Sequence, residues 1–111
     1  MTAKTNARCN VNADDAGAIT CNPDPVPVKR STNNGVEWVF NKTGYTFTGI
    51  DITHGNDTDF GTPAISTNTA QKSVMTVTDT VADLKTYSYT LCYTDPNGTA
   101  HGHDPQIHNE A

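Results

Sequence analysis

The sequence has no long hydrophobic run. Nowhere in the 111 residues is there anything near the about 20 consecutive apolar residues that a helix needs to cross a bilayer, so a membrane-spanning helix is excluded. Large aliphatic side chains are scarce, with only two Leu, five Ile and eight Val. The core must therefore be lean, and one modest domain is the expected scale. Basic residues are few, seven Lys and Arg against twelve Asp and Glu, for a formal charge of −5. Lys4, Arg8, Lys29, Arg30, Lys42, Lys72 and Lys85 are scattered, which excludes the clustered positive charge of a nucleic-acid binder. No stretch sustains a 3.6-residue period, and Val81–Leu84 accommodates one helical turn at most. Serine occurs four times and never within Gly-x-Ser-x-Gly. A Cys-x-x-Cys zinc knuckle, a phosphate-cradling glycine loop and an internal repeat are also missing.

What is present is threonine, 19 residues of it, and short runs of period two. Threonine is β-branched and suits the solvent side of a strand. Val36, Trp38 and Phe40 share one face, with Glu37 and Val39 on the other. Tyr45 and Phe47 share a face, and Gly49 predicts a bulge that shifts the parity onto Ile50 and Ile52. Ile65–Thr67 and Ser73–Thr78 read as strands, and Val26 with Val28 as an edge strand among prolines. Tyr87, Tyr89, Leu91 and Tyr93 make the clearest strand face, opposite Thr86, Ser88, Thr90 and Cys92. Asn33-Asn34-Gly35 and Asp95-Pro96-Asn97-Gly98 carry turn chemistry. About six to eight short strands predict an all-β antiparallel sandwich, cupredoxin-like or immunoglobulin-like, over residues 26–111.

Residues 1–25 are polar and read as an irregular arm. Of the three cysteines, Cys9, Cys21 and Cys92, any two can pair. A Cys9–Cys21 disulfide would staple the arm and is the expected pairing outside the cytoplasm. The first 20 residues are polar and carry no signal peptide. The expectation is a secreted or periplasmic domain whose signal was removed, with a cytoplasmic protein as the alternative.

Tyr87-x-Tyr89-x-Leu91-Cys92, followed by a turn and His101, resembles the ligand loop of cupredoxins. The resemblance implies a copper site built from Cys92, His101 and an upstream histidine, for which His54 stands ready. Hairpin register bears on this. With Gly98 in a one-residue bulge, Tyr93 faces His101, Leu91 faces His103 and Cys92 faces Gly102. A two-residue loop instead sets Cys92 opposite His101. The Pro-Asn pair suits the bulge better.

More broadly, residues 20–109 resemble small bacterial secreted sandwiches. The shared features are a Pro/Val edge strand, a Trp-bearing strand, a Tyr-rich strand and the ending Asp104-Pro105-Gln106-Ile107-His108-Asn109. The resemblance implies a fold and an envelope location, and no reaction.

His101, His103 and His108 form the remaining candidate site. A His-x-His pair in an extended segment sets two rings about 7 Å apart on one side, a spacing that suits copper or zinc. Asp51, Asn56, Asp57 and Asp59 lack calcium-loop spacing. The sequence therefore predicts a small non-catalytic extracytoplasmic binding or structural domain, without a cofactor and acting on an unidentified protein or small ligand as a monomer or weak oligomer. The alternatives are a copper- or zinc-binding protein using His101, His103 and His108 with His54 or Cys92, and a cytoplasmic or phage-encoded protein that binds a host partner.

Overall fold

A computed structural model describes residues 4–52, 60–81 and 84–111. Ten strands follow in chain order: β1 (Thr5–Ala13), β2 (Ile19–Asn22), β3 (Val26–Lys29), β4 (Asn33–Phe40), β5 (Thr46–Ile52), β6 (Ala64–Thr67), β7 (Ser73–Thr78), β8 (Thr86–Thr94), β9 (Ala100–His103) and β10 (Gln106–Glu110). They form two sheets, ordered β2-β1-β4-β7-β6 and β3-β10-β8-β5, with β9 also paired to β8. None of the described segments is a helix long and apolar enough to cross a membrane.

The all-β sandwich is as expected, with two corrections. It has more strands than six to eight, and its pairing is mixed. β1 runs parallel to β4, and β3 runs parallel to β10. A parallel pair needs a long crossover, and residues 14–32 supply it by placing β2 in one sheet and β3 in the other. The irregular-arm reading of residues 1–25 is also corrected. β1 lies inside the first sheet, between β2 and β4. Its buried side is built from small residues, Ala7, Cys9, Val11 and Ala13, because Cys9 sits beside Trp38 and leaves it room. The other side is Asn6, Arg8, Asn10 and Asn12, so the period of two is present but muted.

Trp38 is fully buried, and its indole N–H donates to the Tyr89 hydroxyl across the sandwich at 2.8 Å. Phe40 gathers Tyr45, Phe47 and Tyr93 at ring-centroid distances of 4.9, 5.1 and 5.4 Å. The expected bulge is found where the β5–β8 register shifts between Phe47 and Gly49, so Ile50 pairs with Leu91.

The Asn33-Asn34-Gly35 turn is not formed there. The chain turns earlier, over Lys29–Thr32, with Thr32 N–H donating to the Lys29 carbonyl, and Gly35 lies within β4. A Cβ at Gly35 would sit 2.4 Å from the Val77 carbonyl oxygen and 2.9 Å from Asn6 Oδ1, so close strand approach is what requires glycine. Asp104-Pro105 interrupts pairing to β8, which β10 then resumes, with Ile107 fully buried. Asn109 closes the fold: its amide donates to buried Asp79 Oδ1 at 3.3 Å, and the same oxygen accepts the Val81 N–H at 2.9 Å.

Candidate functional site

The β8–β9 hairpin positions most of the residues singled out from the sequence. Asp95 Oδ1 accepts the N–H groups of Asn97 and Thr99 at 2.9 and 3.0 Å, and Gly98 has φ +83°. The result is the bulged register, with Tyr93 opposite His101, Leu91 opposite His103 and Cys92 opposite Gly102. The His101 ring stacks on Tyr93 at 5.3 Å, and its Nε2 lies 2.8 Å from Asp95 Oδ2. That contact, helped by the Thr99 N–H, holds the Asp95 carboxyl below its ordinary value. Burial pushes the Tyr93 phenol up, with smaller contributions from Tyr45 and Asp95.

Alternation then separates the candidate ligands. His101 and His103 pair with the inward residues of β8. His108 pairs with Thr86, on the outward side, where its Nδ1 is 2.8 Å from Thr86 Oγ1 and its Nε2 is 3.9 Å from Glu110 Oε2. Cys92 is also outward, between Gly49 and Gly102. It therefore shares a face with neither His101 nor His103, and His108 is displaced toward the other end of β8. The cupredoxin-type set and the three-histidine set are not assembled. Among the described residues no group of three or more His, Cys, Asp or Glu side chains is placed to hold a metal ion. His54 lies outside the described residues, as do Asn56, Asp57 and Asp59.

Cys9 and Cys21 do meet. Cys21 sits opposite Val11, two positions along β1 from Cys9 and on the same inward side. Cys9 Sγ donates to the Pro23 carbonyl at 3.5 Å. The neighbouring Cys21 side chain, aided by the Asn22 backbone, lowers the Cys9 thiol against the effect of burial, whereas Cys9 and burial raise the Cys21 thiol. Tyr89 lies close by, its phenol pushed up chiefly by burial and then by the two cysteines.

The recess in the first sheet was not foreseen from the sequence. Successive rows of that sheet's outer face are Asn6–Gly35–Thr78 and Arg8–Glu37–Thr76–Ala64. At the end of the sheet nearest Asn6, Asn34, Thr62 and Thr78 they border a depression of about 170 Å³, with Val77 also in its lining. Its side chains are amides, hydroxyls and small aliphatics. The only trace in the sequence was threonine on outward strand positions, which fits any solvated face equally well. Neither models of known protein families nor curated protein sequences match this chain.

Proposed function

We propose that the protein is a small non-catalytic binding domain of the extracytoplasmic space, and that its recess takes a neutral, hydrogen-bonding group. The observation that carries this reading is the lining of the depression. Asn6, Asn34, Thr62, Thr76 and Thr78 all offer neutral donors and acceptors, and no titratable side chain joins them. Such a lining matches a hydroxyl- or amide-bearing ligand, and the charges in the same row as Thr76, those of Arg8 and Glu37, are paired with each other at 3.8 Å. Its volume of about 170 Å³ is below the roughly 300–1,000 Å³ of sites that enclose whole drug-sized molecules. One sugar ring, or one uncharged side chain of a partner, is the scale that fits.

The non-catalytic part of the reading is supported by how the acid–base groups of the second sheet are used. His101 and Asp95 fasten a turn to Tyr93 rather than facing the recess. The location is supported by the resemblance of residues 20–109 to secreted sandwiches. Amide NMR titration with neutral monosaccharides and with free asparagine tests the ligand class. Shifts confined to Asn6, Asn34, Thr62, Ala64 and Thr76–Thr78 are expected, with affinity about tenfold weaker in Asn6→Ala, the value of one hydrogen bond. Shifts elsewhere, or none at millimolar ligand, would remove the recess as the binding site.

A further inference from the structure

The three cysteines allow three pairings on paper, and the fold permits one within the chain. Cys92 points outward from the second sheet, whereas Cys9 and Cys21 point inward from the first. No side-chain rotation brings Cys92 to either of them. Cys9 and Cys21 lie on adjacent antiparallel strands, on one face, offset by two positions in the ladder. Cys9 is fully buried beside Trp38. Cys21 is half-buried on β2, a four-residue strand at the sheet edge that is held on one side only. Closing that diagonal offset to an S–S bond of about 2.0 Å therefore asks movement of the edge strand and not of the core.

We propose that Cys9 and Cys21 form a disulfide in the folded protein by exchange with a small external disulfide, leaving Cys92 as the free thiol. The burial difference sets the order of events. The external disulfide reaches only Cys21. The Cys21 thiolate attacks one of its sulfurs, forming a mixed disulfide and releasing the first small thiolate. The Cys9 thiolate then attacks Cys21 Sγ and expels the second. The two protein sulfurs lose two electrons, the external disulfide gains them, and the two thiol protons go to the released thiolates. The chemistry of this pair is independent of the recess and of any ligand there.

The test is incubation of the full chain with oxidised glutathione under native conditions, followed by alkylation and peptide mapping. The expected product is lighter by two hydrogens, contains one cross-linked Cys9–Cys21 peptide, and is alkylated at Cys92 alone. Cys92→Ser should oxidise in the same way, and Cys21→Ser should not lose the two hydrogens. Cys21→Ser is the variant of choice because its side chain is not core, and wild-type mapping carries the test even if that variant is unstable. Reduction should lower the folding equilibrium constant by about a hundredfold, the scale for a short closed loop. A stable glutathione adduct on Cys21, full alkylation of Cys9 and Cys21 after exposure, or a cross-link containing Cys92 would each overturn the assignment.

Discussion

Trp38 is the side chain on which the two sheets converge. It is fully buried, touches Tyr89 edge-on at 5.5 Å, and hands its only donor to the Tyr89 hydroxyl at 2.8 Å. Trp38→Ala is therefore expected to cost about 3–5 kcal/mol through the cavity it leaves. Tyr89→Phe keeps the volume but orphans a buried indole N–H, at about 1–3 kcal/mol. Urea denaturation with an unchanged slope checks both, and a wild-type midpoint for Tyr89→Phe would show that the indole finds another partner. Asp95 offers a second residue-scale test. Its ordinary value is 3.8, and His101 holds the folded value lower. A depressed folded value contributes stability that is complete above the unfolded value and is lost as pH falls through the folded one. The Asp95 carboxyl carbon should thus titrate below 3.8 in the wild type and move upward in His101→Ala. Coincident titrations would mean that the turn's own N–H groups do all the work.

Among the elements, the β8–β9 hairpin was the most legible, because its determinants are local. Asp95, Pro96 and Gly98 specify the turn, and the turn dictates which residue faces which across the ladder. The positive φ of Gly98 makes Gly98→Val a loss of about 1–2 kcal/mol, with Gly98→Asn milder. Thermal unfolding checks the order, and equal melting temperatures for the two variants would exclude a backbone cause. β1 was illegible for the opposite reason. Its inward residues are small because the neighbouring strand carries Trp38, a fact of packing that local pattern does not record. Gly35 was misread likewise: Asn-Asn-Gly is good turn chemistry, yet the glycine answers to the Val77 carbonyl from a distant strand. The recess depends on the registers of four strands together. The histidines were visible as residue types, but their two faces became known only once β9 and β10 were both registered against β8.

At the scale of the molecule, both ends of the chain are woven into sheet interiors. β1 separates β2 from β4 in the first sheet, and β10 separates β3 from β8 in the second. A chain beginning at Val26, the boundary suggested by composition alone, would lose Cys9 and Val11 from the core. It would also expose the whole of one edge of β4, including the backbone that pairs with Thr5–Val11. An unpaired hydrophobic edge of that length favours association over folding. Trp38 and Phe40 would lose their flanking strand, and β3, the strand next before β4, is committed to β10. The fragment 26–111 should therefore show no cooperative thermal transition and poor proton-shift dispersion. A sharp melt with dispersed methyl resonances would restore the reading of residues 1–25 as an appended arm. The expected failure would establish that the two sheets fold only when the first strand is in place.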